Sequence, residues 1–279
     1  MKEFVCTITS NVEIVPGVNL TWLEAPHIAA TAQPGQFVTL RCGDFTLRRP
    51  FSIHQVNSGR VAFLFKVVGK GTLWLSQRQK GDKIDILGPL GKGFSIEPGS
   101  RNLLLLAGGI GISPLVFLAQ HAAVQHSVRL IYGASTAREL YPLSSLPSGV
   151  QFVPVTEDGS MGRRGLVNAV LPDFLEWSDQ LYACGPVGMY RAMPELACHS
   201  DTPGYCRSAA AEQPKSLTRG KAREEFKLKK CQISLEVRMG CGIGACYGCS
   251  INTKKGLKKV CHDGPVFELD DILWGEVKI

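Results

Sequence analysis

Leu103-Leu104-Leu105-Leu106-Ala107-Gly108-Gly109-Ile110-Gly111-Ile112-Ser113-Pro114 opens the stretch on which the fold turns. From Leu103 to Ala119 the chain carries no charge, and the run approaches the length of a membrane span. Gly108, Gly109, Gly111 and Pro114 interrupt it in the middle. It therefore reads as a buried strand, a glycine turn and the start of a helix. That setting suits a dinucleotide pyrophosphate, because the N–H groups of a helix N-terminus face the phosphate. The turn lacks the full G-x-G-x-x-G pattern. Downstream, apolar β-rich runs at 128–133, 151–156 and 180–184 alternate with helix-compatible segments at 114–125, 166–171 and 186–197. This alternation predicts a doubly wound parallel α/β domain over 98–198. Cys184-Gly185-Pro186 ends the last strand, at the edge where such sheets bind ligands. Cys184 also reads as a buried strand-end thiol.

Upstream, residues 1–97 read as all-β. Short alternating runs at 4–8, 37–41, 61–67 and 83–87 are separated by turn residues such as Pro34-Gly35, Ser58-Gly59 and Gly81-Asp82. Strands at this spacing predict a small barrel, of the six-stranded type. Arg48-Arg49-Pro50-Phe51-Ser52 ends one of them. Arg49 could neutralise a pyrophosphate, Phe51 could lie against a flat ring, and Ser52 could hydrogen-bond a ring nitrogen. The plain alternatives are a surface ion-pair arginine and a core aromatic. Gly69-Lys70-Gly71-Thr72 can present N–H groups to a phosphate, or form a simple tight turn.

The C-terminal segment is unlike either half. Of ten cysteines, four form Cys241-x4-Cys246-x2-Cys249-x11-Cys261, with Gly240, Gly242, Gly244 and Gly248 between them. Four thiolates can hold a [2Fe–2S] cluster, two per iron, and the x4/x2 spacing suits a loop wrapped around it. A structural zinc site is the rival, but it usually shows two C-x2-C knuckles. Lys254, Lys255, Lys258 and Lys259 fit a solvated hairpin, and Cys231 an ordinary buried thiol. Residues 231–279 thus form a small cluster module, and 199–230 a linker or insertion.

Composition narrows the function. The 279 residues carry a formal charge of +7, but 199–230 supply more than half of it. No basic stripe lies elsewhere, which argues against nucleic-acid binding. The N-terminal residues alternate like a strand rather than forming a secretory signal. No membrane span and a cytoplasmic location are expected.

Taken together, RRPFS at 48–52, GKGT at 69–72, LGPLGKGF at 87–94, LAGGIGISPL at 106–115 and CGP at 184–186 resemble the ferredoxin-reductase-like flavoprotein superfamily. MGCGIGACYGC at 239–249 and CHDGPVF at 261–267 are similar to the electron-transfer subunits of NAD-dependent, two-subunit dihydroorotate dehydrogenases. The resemblance implies one FAD and one [2Fe–2S] cluster per subunit, with NAD(H) as co-substrate. It implies FAD contacts at Arg49, Pro50, Phe51 and Ser52, at Leu64, Phe65 and Lys66, and at Gly71 and Thr72. Cluster ligands fall on Cys241, Cys246, Cys249 and Cys261. The nicotinamide-nucleotide side falls on Gly108, Gly109, Gly111, Cys184, Gly185 and Pro186, with Ser52 near flavin N5 and Cys184 near the nicotinamide. An FMN-bearing catalytic partner is implied, in a heterotetramer of two subunits of each kind. Electrons would run from FMN through the cluster and FAD to NAD⁺ in pyrimidine biosynthesis. Residues 199–230 lengthen the usual passage between the CGP helix and the cysteines.

Glu157 and Asp158 follow the third sheet strand. Carboxylates repel a 2′-phosphate, so NAD is expected over NADP, with Arg163 and Arg164 close enough to offset them. Two other readings stay open: a flavin and iron–sulfur subunit of a ferredoxin-type, bifurcating or hydrogenase-linked reductase, and a zinc-bearing interaction module.

Overall fold

The computed structural model describes residues 2–195, 224 and 229–277. Its first sheet comprises β1 (Lys2–Val15), β2 (Val18–Glu24), β3 (Phe37–Leu40), β4 (Arg49–Ser52), β5 (Gln55–Asn57), β6 (Arg60–Lys66) and β7 (Lys83–Leu90). They lie in the order β4-β3-β7-β1-β2-β6-β5, each antiparallel to its neighbours. Three-residue β5 adds a seventh strand at one edge. At the other edge, β4 tolerates Pro50, because an outer strand has no ladder bond to lose on its free side. The Phe51 ring on β4 lies 5.5 Å from Phe65 and 6.4 Å from Phe63 on β6, so side chains close the barrel where the ladder does not. Two short helices, α1 (Pro26–Ala29) and α2 (Lys70–Ser76), lie in its connections.

The second sheet uses β8 (Asn102–Gly108), β9 (Ser127–Ala134), β10 (Val150–Thr156), β11 (Arg163–Arg164), β12 (Gln180–Cys184) and β13 (Lys230–Ser234). A separate hairpin pairs β14 (Ser250–Thr253) with β15 (Gly256–Lys259), and β16 (Val266–Glu268) returns to the large sheet. The order is β11-β10-β9-β8-β12-β13-β16, parallel except for β16. Central β8 shows why Leu103–Leu106 is apolar throughout. Leu103, Leu105 and Ala107 pack with α3 (Ile112–Ala122) on one face. Leu104 and Leu106 pack with α4 (Val167–Val170), α5 (Pro172–Leu175) and α6 (Val187–Glu195) on the other. A strand covered on both faces has no polar side to present, and each buried Leu contributes about 2 kcal/mol.

The structure divides the C-terminal half differently from the expected boundary at 231. β13 pairs in parallel with β12, and β16 pairs with β13, so both extend the α/β sheet. The cysteine loop and the β14–β15 hairpin are carried between them. The expected linker over 199–230 lies outside the described residues apart from Glu224, Lys229 and Lys230, and Lys230 already begins β13. The loop also meets the barrel: Lys92 N–H donates to the Gly264 carbonyl. No helix among the described residues is long and apolar enough to cross a membrane.

Candidate functional site

The cysteine loop turns its backbone toward its own sulfurs. The N–H groups of Ile243, Ala245 and Cys246 donate to Cys241 Sγ at 3.5, 3.3 and 3.4 Å. Gly244 N–H donates to Cys261 Sγ at 3.1 Å, Gly248 N–H to Cys246 Sγ at 3.4 Å, and Cys261 N–H to Cys249 Sγ at 3.4 Å. Gly242 at φ +72° and Gly244 at φ +82° make this possible, since side chains rarely adopt such backbone. Burial works to raise the Cys241 pKa, but the donors from Ile243, Cys246 and Ala245 outweigh it and hold the thiol at about 6. Cys261 goes the other way, pushed to about 12 by burial and the neighbouring Cys249.

The four thiols fall into two pairs. Cys249 and Cys261 sulfurs lie 3.2 Å apart, and Cys246 donates to Cys241 through both N–H and thiol. Among the described residues, no three His, Cys, Asp or Glu side chains converge on one ion position. A single zinc needs its ligands around one point, whereas two irons bridged by sulfide need two each. The donor set fits the two-iron group.

The loop is seated on the barrel. A Cβ at Gly242 would lie 2.8 Å from Thr39 Cγ2, and Thr39 is the cross-strand partner of Pro50. The cysteine loop therefore abuts β3, the strand paired with the one that carries Arg49–Ser52. At β4 the two arginines part company. Arg48 is taken up by Asp85 and Glu3. Arg49 donates to the Leu47 carbonyl at 2.7 Å and lies across Gly71, where a Cβ would be 3.0 Å from Arg49 Nε. Thr72 Oγ1 accepts from Val68 and Gly69 N–H, shaping the turn before α2. Arg49, Gly71 and Thr72 are thus brought together.

Phe51 is 7% exposed and belongs to the barrel core with Phe63 and Phe65. Phe65 also points into that core, while its neighbours Leu64 and Lys66 face a cavity of about 390 Å³. Strand alternation forces this split. Ser52 is half-buried, and its hydroxyl makes no hydrogen bond among the described residues.

The glycine turn and CGP meet closely. A Cβ at Gly111 would fall 2.2 Å from the Cys184 carbonyl oxygen, and one at Gly108 would fall 2.9 Å from Pro186 Cδ. Gly109, at φ +53°, faces open space with no atom within 4 Å of a Cβ position. The Cys184 thiol is 1% exposed, donates to the Ser234 carbonyl at 3.5 Å and is held protonated by burial. Tyr190 braces this turn, accepting from Gly185 N–H at 2.9 Å and donating to Ser234 O at 2.7 Å.

At the end of β10 the two carboxylates differ. Asp158 accepts from Ser160 Oγ and N–H, which lower its pKa and tie it into the turn. Glu157 is exposed and, among the described residues, its carboxylate accepts from Ser135 Oγ at 3.3 Å. Arg163 is taken by Asp173, and the Arg164 stem packs over Gly159.

The cavity lies between Ile14 and Val18 of the first hairpin, Leu64 and Lys66, and the C-terminal ends of β8 and β9. Gly109 lines it, as do Ile110, Tyr132, Thr136, Arg138 and Tyr141, which the sequence reading did not single out. Their only signal was position, just past the carboxyl ends of parallel strands.

Comparisons with known proteins follow this geometry. The family described as the iron-sulfur cluster binding domain of dihydroorotate dehydrogenase B matches residues 236–273, and the oxidoreductase NAD-binding domain matches 105–195. The chain is similar to the electron transfer subunit of dihydroorotate dehydrogenase B (NAD(+)) from Desulforamulus reducens, at 36% identity over 98% of this chain and 99% of that one. The Geobacillus thermodenitrificans subunit of the same name is 34% identical over 90% and 91%. Among solved structures, the NADH-dependent reduced ferredoxin-NADP oxidoreductase, described with flavin-based electron bifurcation, superposes with TM-score 0.79. It is 26% identical, covering 97% of this chain and 90% of its own. The ferredoxin NADP+ reductase from Neisseria gonorrhoeae with bound FAD and NADP shares the fold, at TM-score 0.60 and 20% identity over 70% of this chain and 90% of its own.

Proposed function

The chain belongs to the electron-transfer subunits of NAD-dependent dihydroorotate dehydrogenase B, and from that premise we propose that it carries electrons between an FMN-bearing catalytic subunit and NAD(H). The observation that carries the reading is the seating of the cysteine loop on Thr39, across the ladder from Pro50. It sets a cluster holder against β3, one strand from the flavin-strand candidate, and electron transfer favours such nearness.

Cys241, Cys246, Cys249 and Cys261 hold a [2Fe–2S] cluster, one per chain, and six N–H groups aimed at the sulfurs tune its charge. FAD is held by Arg49 at its phosphates, by the Gly71-Thr72 turn, and by the half-buried Ser52 hydroxyl at its ring. A flavin takes up a hydride as a pair and releases electrons singly, which joins a dinucleotide to a one-electron cluster. Gly108, Gly109 and Gly111 hold the NAD(H) pyrophosphate, with Gly185 and Pro186 closing behind them. Exposed Glu157 accepts from a ribose hydroxyl and repels a 2′-phosphate, favouring NAD. The assembly contains two catalytic and two electron-transfer chains, acts in the cytoplasm and serves the oxidation of dihydroorotate to orotate.

The test is division of labour. Purified alone, the chain should pass electrons from NADH to a dye and leave dihydroorotate untouched; adding the FMN subunit should create NAD⁺-dependent oxidation. Dihydroorotate oxidation by the isolated chain, or failure of any FMN subunit to confer it, overturns the reading. The full-length likeness to a ferredoxin oxidoreductase supports a second reading, in which ferredoxin replaces the FMN subunit as partner. Reduced ferredoxin in the same assay separates the two.

A further inference from the structure

His54 lies two residues past the flavin strand and is fully buried, 0% exposed, where the barrel meets the α/β unit. Its backbone N–H is fixed to the Ala62 carbonyl on β6. Nδ1 is 2.9 Å from the Ser113 carbonyl, in the first turn of α3 directly behind Gly109–Gly111. Nε2 is 3.0 Å from the Tyr141 hydroxyl. A carbonyl only accepts, so Nδ1 carries the proton; the Tyr141 O–H, which also has the Ser145 carbonyl at 3.3 Å, goes to the nearer Nε2. The result is one chain of bonds, Tyr141 O–H to His54 Nε2 and His54 Nδ1–H to the Ser113 carbonyl. The rings meet edge to face, 5.4 Å between centroids, and Tyr141 is itself part of the cavity wall. Burial lowers the His54 pKa to about 4, against the Ser113 bond that raises it, so the ring stays neutral.

Resting on the proposed electron-transfer reading, we infer that His54 is a positioning residue that sets the distance between the flavin strand and the dinucleotide turn. Apolar packing could join the same surfaces, but it is non-directional and tolerates sliding. Two fixed hydrogen bonds at one ring do not. Ser52 and His54 share one short segment, while Ser113 and Gly111 share one helix start, so the ring bridges the two ligand-holding elements. A second clasp lies further along α3, where Gln120 exchanges hydrogen bonds with the Val56 backbone. It holds the units together when His54 is altered, which leaves His54 to decide fine placement at the site end of the helix.

The experiment measures flavin reduction by NADH in FAD-replete full chain, by stopped flow, for His54→Leu, His54→Asn and Tyr141→Phe. Hydride exchange is steep in distance, so His54→Leu should lower the limiting rate at saturating NADH about tenfold. The dissociation constant for NADH should change less than about threefold, and the isotope effect with 4-deuterated NADH should rise towards its intrinsic value. His54→Asn keeps the donor to Ser113 and should recover to within about threefold of the parent, with Tyr141→Phe between the two. A limiting rate within twofold of the parent in FAD-replete His54→Leu overturns the inference, as does a loss that appears only as FAD release. Should His54→Leu not fold, unchanged limiting rates in both milder variants overturn it equally. If the parent chain's flavin is not reduced by NADH at all, the electron-transfer reading fails and this inference with it.

Discussion

Cys184-Gly185 and Cys241-Gly242 are the same dipeptide, set in two turns that treat the thiol in opposite ways. After Cys184 the chain enters α6, and the Gly185 N–H goes to Tyr190 rather than to sulfur. The thiol is left with a carbonyl acceptor, and burial and then the Glu236 carboxylate hold it protonated. After Cys241 the glycine takes φ +72°, the chain doubles back, and three N–H groups point at the sulfur. There the pKa falls to about 6 despite the opposing effect of burial. Backbone direction, not the cysteine, decides which thiol becomes a ligand and which becomes core.

The largest effect should come from removing one ligand. Cys246→Ser should take iron and acid-labile sulfide from about two each per chain towards zero, with coupled NAD⁺ reduction down about hundredfold. FAD content and NADH-to-dye activity should hold. Iron retained at the parent level would erase the difference between the two turns.

Unseating the loop should matter less. Gly242→Ala places a Cβ 2.8 Å from the stiff Thr39 side chain, at a φ that disfavours it. The expected cost is about 1–3 kcal/mol in stability, with coupled turnover down about tenfold, measured by denaturation and steady-state assay. A neutral Gly242→Ala would show that the loop does not need its seat on the barrel.

Alkaline pH sharpens the other side. Folded Cys184 keeps its proton, while an unfolded thiol loses it from about pH 8.5. The unfolded chain then binds fewer protons, so this group's contribution to stability falls as pH rises above that point. Iodoacetamide at pH 9 should leave Cys184 unmodified in the folded chain and label it after unfolding, as read by peptide mass. The smallest effect is expected from Cys184→Ala. NADH-to-dye activity should stay within about twofold and stability should fall by about 1 kcal/mol; a large drop in turnover at unchanged stability would place Cys184 on the nicotinamide side.

Much of this was legible locally. The apolar run at Leu103–Leu106, broken off by Gly108, Gly109 and Gly111, reads as a buried strand, and the sheet covers it on both faces. The x4/x2/x11 spacing already required a loop that returns its cysteines to one place. What the sequence left open lies where a residue's neighbours are distant along the chain. Nothing in Arg49–Ser52 shows that β6 lies beneath Phe51. Nor did residues 231–279 show that β13 and β16 belong to the sheet of the preceding domain.

By itself, the sequence determined the kinds of element and the kinds of chemistry. Periodicity, turn residues and ligand spacing act within a few bonds, and their energetics are complete at that range. Only the tertiary structure decided which thiol is buried, which carboxylate is presented, and that the cysteine loop rests against β3 of the barrel. It also decided that a lone histidine, undistinguished in the sequence, joins Ser113 to Tyr141. Burial and directed hydrogen bonds depend on groups up to 137 residues away along the chain, so no local pattern encodes them.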